Sequence, residues 1–357
     1  MKCCLPFTLL VLMAAPRVPA GQFVYVSESG DDSIAIFRQH PETGQLTFID
    51  RQRTSGSPGA LDVGPQRRFL FAAIRSTKTL ASFRIDPLTG RLTPVSTTAP
   101  REDPTYVYVH RTGKWLLSAY YRAGRVAVHA IEEDGRLELE GHWYETAEKA
   151  HCIRMDRMNW YAYVPHTGPE RIYQFEFVHD TGQLLPLDPP FVETPAGYGP
   201  RHIWFHPQLY RAYVDNEQGS SVTTYDLSLQ DPVLRPQGTI STLPDDFNEN
   251  NSNADIEVTP DARFLYVSNR GHDSLAGFAL DREGTLTPLG TFPTEETPRS
   301  FNIDPTGRFL YAAGQKSNRL AAYHIQPNGH LLHFETHETG SSPAWVLVVD
   351  TELTTGR

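Results

Sequence analysis

The chain has 357 residues, 39% hydrophobic and 21% charged, the composition of a globular protein able to bury a large core. Its formal net charge of −10 argues against nucleic-acid binding by bulk electrostatics and makes any local basic cluster informative. Only Cys152 of the three cysteines lies in the body, which excludes a disulfide framework or a cysteine zinc site.

In chain order, residues 1–20 read as a secretory signal. Lys2 precedes an apolar run over 5–15, and the small-residue stretch Val18-Pro19-Ala20 stands before Gly21. The run is too short to span a bilayer, so the mature chain is expected to be secreted or periplasmic, with no membrane partner. Translation from Met13 would instead give a cytoplasmic product. No Gly/Ser-rich or Pro-rich linker interrupts 21–357, and one domain is expected there.

One type of strand then recurs seven times: FVYVSE from Phe23, FLFAAI from Phe69, WLLSAY from Trp115, YAYVPH from Tyr161, RAYVDN from Arg211, FLYVSN from Phe264 and FLYAAG from Phe309. The steps between first residues are 46, 46, 46, 50, 53 and 45, the period of four-stranded propeller blades. A short apolar strand such as HIWF or DIEV precedes each later anchor, and an alternating strand such as SIAIFR or RLAAYHI follows it. Turns such as TGQL, TGRL and PNGHL come next, where Gly gives the freedom a tight hairpin needs. The fifth copy lacks this Gly and reads LQDPVLRP.

The repeat begins at an anchor and ends with PAWVLVV, 343–349, an innermost strand with no anchor after it. The expected fold is all-β, a seven-bladed propeller of four-stranded antiparallel blades. Its C-terminal strand would join the N-terminal blade and close the ring. Residues 243–253, LPDDFNENNSN, read as an enlarged inter-blade loop.

Alignment of the copies exposes two columns. The first residue of the innermost strand is Gly59, Thr105, His151, Arg201, Ala254, Arg299 or Ala344. The residue just past the anchor is Ser29, Arg75, Tyr121, Thr167, Glu217, Arg270 or Gln315. In an antiparallel blade both columns ring one mouth of the channel. His151, Arg201, Glu217, Arg270 and Arg299 would then make a mostly cationic bowl, suited to a small anion because Arg presents a fork to carboxylate or phosphate. The competing reading is a ring of structural salt bridges. His202 and His272, beside this set, are further candidates. No G-x-S-x-G, H-E-x-x-H or EF-hand pattern is present, and neither a metal nor a cofactor is expected.

The motifs GPRHIWFHP (199–207), VDNEQGSSV (214–222), NADIEVTPDARFLYVSNRGHDS (253–274) and TEETPRSFNIDPTGRFLYAAGQKS (294–317), with the closing SPAWVLVV (342–349), resemble the seven-bladed propeller lactonases of the 6-phosphogluconolactonase type. The resemblance covers 22–350. It implies hydrolysis of a sugar aldonolactone to the open acid, with His151, Arg201, Glu217 and Arg299 as the catalytic set. Arg270, His272, Gln315, Lys316 and His202 would serve substrate binding. The implied partner is a small anionic lactone, and the implied state is a monomer. A carboxymuconate-type lactonising reaction and a non-catalytic binding propeller are the alternatives. The segment KAHCIRMDRMNWYAYVPH departs from the family by lacking a proline-aspartate-glycine turn.

Overall fold

Residues 21–100 and 102–351 are described by the computed structural model; the expected signal segment lies outside them. These residues form twenty-eight strands in seven four-stranded antiparallel sheets. Each sheet is one blade, numbered one to seven in chain order. Blade one consists of Pro343–Asp350, Gln22–Glu28, Ser33–Gln39 and Leu46–Arg53, from the axis outward. The C-terminal strand pairs antiparallel with the N-terminal one, Val348 opposite Val24, so the ring closes as the repeat phase implies. Every copy of the anchor is the second strand of its blade.

Burial follows from this stacking. The second strand has a neighbouring blade on each face, so both sets of alternating side chains leave water. Phe69–Ile74 and Phe309–Gly314 are buried at every position, which is why FLFAAI and FLYAAG read as continuous apolar runs. The outermost strand has one covered face at most, and Arg235–Ser241 is exposed at all but one position.

Blades are joined through the anchor aromatics. Gly44 and Gly90 hold φ of 73° and 70° in their turns. A Cβ there would also lie 2.3 Å from the rings of Phe309 and Phe23, on the preceding blade. Two requirements, left-handed backbone and ring contact, thus select glycine at one position. The tyrosine two residues after the first anchor residue donates its hydroxyl to the same turn: Tyr25 to the Gly90 carbonyl at 2.9 Å, Tyr266 to Gly329 at 2.8 Å, Tyr311 to Gly44 at 2.6 Å. Where blade five lacks the glycine, Tyr163 donates to the Pro232 carbonyl at 2.6 Å instead.

Around the channel, acidic and amide side chains accept backbone amides from the next blade. Asp62 accepts from Val109 at 2.6 Å, Glu257 from Ile303 at 3.0 Å and Asn302 from Val348 at 2.7 Å. Innermost strands of different blades do not pair with one another, so side chains satisfy the amides that face the axis. Blade four departs from the others. Its innermost strand is only Arg154–Met155, and His151 and Cys152 precede it outside the regular ladder, tied by the His151 amide to the Pro165 carbonyl at 3.0 Å. Cys152 is a free, buried thiol.

Candidate active site

A repeated bulge aims the rim residues. The register between the two inner strands shifts between Pro200 and Ile203, between Asn253 and Ile256, and between Pro298 and Ser300. These shifts bracket Arg201 and His202, Ala254 and Asp255, and Arg299. A bulge frees a backbone amide and re-aims side chains, and the anchor strand supplies the missing acceptor. Asp215 accepts the His202 amide at 2.7 Å, and Ser268, at the equivalent anchor position, accepts the Asp255 amide at 3.0 Å. Arg201 and His202, consecutive in sequence, can therefore both turn towards the axis.

Those residues enclose an inner chamber of about 170 Å³, lined by His151, Arg201, Glu217, Arg270, Arg299 and their neighbours. Glu217 is its one carboxylate. Arg270 Nη2 donates to Glu217 Oε1 at 2.8 Å and to the Asn253 carbonyl at 2.7 Å, and Arg201 Nε lies 3.5 Å from Glu217 Oε2. Burial pushes the Glu217 carboxyl up, but Arg201, Arg270 and Arg299 together outweigh it and hold it below the ordinary glutamate value. It is an anion at neutral pH.

Arg299 pairs with no carboxylate among the described residues. Burial first, then repulsion from Arg201 and Arg270, pulls its pKa down to about 9. Burial, then Arg201 and His202, holds the His151 imidazole well below the usual histidine value, so it is neutral. Three buried nitrogens of the chamber have no hydrogen-bond partner among the described residues: His151 Nδ1, Arg201 Nε and Arg270 Nε. Unmatched buried polar atoms are costly, and here they converge on one small space.

The chamber has a floor. Tyr106, His202 and Trp345 form a triangle of rings with centroids 5.5 to 5.8 Å apart. These rings separate the chamber from a second cavity of about 280 Å³ on the far side of the channel. His202 also lies against His151, ring to ring at 5.0 Å. Its Nδ1 donates to Asp255 Oδ1 at 2.9 Å, and Arg201 Nη1 lies against the ring, 3.2 Å from Nε2 and 3.5 Å from Nδ1. Burial, reinforced by Arg201, lowers its pKa to about 4, consistent with a neutral ring holding two partners.

The profile of the family described as "Lactonase, 7-bladed beta-propeller" matches residues 14–102 and 96–348. The chain belongs to this family. It is 34% identical over 284 residues to a protein named 6-phosphogluconolactonase from Enterobacter sp. (strain 638), covering 79% of this chain and 85% of the relative. A protein of the same name from Pectobacterium atrosepticum is 33% identical over the same shares of 79% and 85%. Among solved structures, the periplasmic gluconolactonase of Pseudomonas aeruginosa is similar with a TM-score of 0.84 and 26% identity, covering 93% of this chain and 99% of that one.

Within this propeller lactonase, the structure gathers His151, Arg201, Glu217, Arg270 and Arg299 at the chamber, and Gln315 lines the wider bowl above it. His202 belongs to the floor. Two expected residues stand apart from both cavities. Lys316 is exposed and paired with Glu296. His272 accepts or donates at Ser274 Oγ, 2.7 Å away, and packs on Phe247 of the enlarged loop. Arg75, in the same column as Glu217 and Arg270, lines the chamber too, paired with Asp103 at 3.2 Å. Sequence reasoning aligned it without selecting it. Tyr106 and Trp345 were not selected from the sequence, and Asp255 only as a possible metal ligand without a convergent cage, although all three fall one position after the rim column in the repeat.

Proposed function

We propose that the protein hydrolyses the ring ester of a sugar aldonolactone, giving the open hydroxy acid. The observation that carries this reading is the charge imbalance of the chamber. Arg201, Arg270 and Arg299 surround a single carboxylate, and Arg299 has no counter-ion among the described residues. Such a site favours a species in which negative charge develops, as it does on the carbonyl oxygen of a lactone under attack. The names of the relatives support hydrolysis over lactonisation.

Glu217, held as the anion, takes a proton from the attacking water as the water oxygen bonds to the lactone carbonyl carbon. The carbonyl oxygen becomes an oxyanion facing Arg299 and Arg201. When the ring C–O bond breaks, the leaving oxygen needs a proton. His151, neutral and with an unpartnered Nδ1, passes on the one that Glu217 accepted. One water is consumed; the carboxylic acid so formed loses its remaining proton to solvent, and the product carboxylate stays opposite Arg299 until release. The bidentate geometry of arginine suits both the oxyanion and the carboxylate.

The test is hydrolysis of glucono-δ-lactone followed by pH-stat. Glu217→Gln keeps the shape and removes the base, so the rate should fall roughly 10²–10⁴-fold. A wild-type rate in this variant would reject the assignment. Export through the 1–20 segment is part of the same reading, supported by the periplasmic location in the name of the Pseudomonas neighbour; sequencing the mature N-terminus tests it. No helix among the described residues is long and apolar enough to cross a membrane.

A further inference from the structure

Two cavities meet above the aromatic floor. The inner chamber of about 170 Å³ holds the proposed reacting groups. The outer bowl of about 640 Å³ shares His151, Arg201 and Arg299 with it, then continues over blades one to three to Ser57, Ser76 and Asp103. Pockets of roughly 300–1,000 Å³ bury ligands of drug size, so a single six-carbon lactone accounts for the chamber and leaves most of the bowl without a role. The outer part contains nothing the reaction uses, so what it offers a ligand is recognition.

Its chemistry is that of a surface for neutral hydroxyl groups. Arg75 and Asp103 form a two-point pair, Nε to Oδ1 at 3.3 Å and Nη2 to Oδ2 at 3.2 Å. Arg75 is therefore already neutralised where the bowl leaves the chamber, and a phosphate there would have to compete with a formed ion pair. The serine hydroxyls direct their protons away from the bowl: Ser29 Oγ donates to the Pro58 carbonyl at 2.7 Å and Ser57 Oγ to the Ser29 carbonyl. Their oxygens remain as acceptors. Trp345, half-buried in the floor, adds an aromatic edge to the same lining. Lys78, Arg122 and Glu102 stand at the lip and carry both signs. Paired acid and base, hydroxyl acceptors and an indole suit a sugar ring with donor hydroxyls better than a second anion.

Resting on the lactonase reading above, we infer that the preferred substrate is an aldonolactone that carries a second, unphosphorylated sugar residue. The lactone ring occupies the inner chamber and the glycosyl substituent lies over blades one to three, against Ser57, Ser76 and the Arg75–Asp103 pair. Such a compound arises by oxidation of the reducing-end carbon of a disaccharide, so a sugar-oxidising reaction must supply it. Contacts to the non-reacting residue would hold the lactone in register and so raise turnover as well as affinity.

The test measures kcat/KM of the full chain on glucono-δ-lactone, 6-phosphoglucono-δ-lactone, cellobiono-δ-lactone and maltobiono-δ-lactone. At least one disaccharide lactone should exceed glucono-δ-lactone by roughly 10-fold or more. Asp103→Asn should lower that ratio, and Ser76→Trp, on an exposed turn, should bring it close to one by filling the bowl. A wild-type ratio of one or less overturns the inference, as does a ratio that Ser76→Trp leaves unchanged. A phosphorylated lactone that outruns both disaccharides overturns it too. In each of those cases hydrolysis of glucono-δ-lactone still stands, whereas failure on all four lactones removes the lactonase reading along with this one.

Discussion

Arg201 Nη1 lies 3.2 Å from His202 Nε2 and 3.5 Å from its Nδ1, so the guanidinium that faces Glu217 rests against the imidazole of the residue next in sequence. Adjacent residues of a regular strand point to opposite faces. This contact exists because the bulge between Pro200 and Ile203 turns both towards the channel. His202 is in turn oriented by Asp255, on the next blade, at 2.9 Å. The line Asp255–His202–Arg201–Glu217–Arg270 therefore links two neighbouring blades.

That line predicts a role for a residue without access to substrate. His202→Phe keeps a ring against Tyr106, Trp345 and His151 while removing both nitrogens. A hydrogen bond to a charged group contributes about 1.5–3 kcal/mol, so kcat/KM for glucono-δ-lactone should drop roughly 10- to 100-fold. The far-ultraviolet circular dichroism should be unchanged. An unaltered kcat/KM would mean that Arg201 is held without His202.

The depressed proton affinity of Arg299 has a consequence for product binding. Only the protonated guanidinium attracts an anion, and its folded-state value is about 9. Affinity for D-gluconate, measured by calorimetry, should be level below about pH 8. It should then weaken by up to about tenfold per unit above pH 9. Arg299→Gln should bind more weakly and lose that break. Wild-type affinity that stays level to about pH 10.5 would show that Arg299 keeps its proton throughout, whereas wild-type affinity in Arg299→Gln would contradict the assignment of Arg299 as the anion partner.

Glycine at the outer turns is predicted to be irreplaceable for stability. In Gly90→Ala the new Cβ needs a left-handed backbone at φ 70° and would sit 2.3 Å from the Phe23 ring. The two effects together should cost roughly 2–4 kcal/mol, read as a lower urea midpoint. Gly238 is the control, because a Cβ there would have no atom within 4 Å. Gly238→Ala should shift the midpoint far less.

A buried carboxyl should make stability depend on pH. Burial, reinforced by Asp255, raises Glu257 from 4.5 to about 8. The folded chain thus keeps a proton that the unfolded chain releases near the ordinary glutamate value. Between about pH 4.5 and 8 the folded state binds more protons, so this group makes stability fall as pH rises, by up to about 1.4 kcal/mol per unit. Urea midpoints from about pH 5 to 8.5 check it. Glu257→Gln should flatten the slope, and an equal slope in both proteins would show that another group sets it.

Much of this was legible in the chain because the propeller is written as a repeat. Seven anchors at a near-constant step fix the number of blades, and the mismatch between the first and last repeat elements implies the closing strand. The rim columns were legible for the same reason: once the copies are aligned, Arg201 and Arg299 stand where Gly59, Ala254 and Ala344 are small, and Glu217 and Arg270 share a column with Ser29 and Thr167. Lys316 and His272 show the limit of that method. Each is a short step in sequence from a rim residue, but beyond the strand end the chain turns away. Lys316 meets Glu296 and His272 meets Phe247.

What the amino-acid sequence determined by itself is the architecture, because alternation, period and turn glycines act locally and recur. What only the tertiary structure decided is the site's interior: the bulges that bring His202 beside Arg201, the floor of Tyr106, His202 and Trp345, and the bowl reaching over blades one to three. Those features join residues up to hundreds of positions apart, such as Tyr106 and Trp345 at 5.5 Å. No local pattern encodes such a meeting, since it depends on how the closed ring sets the distance across the channel.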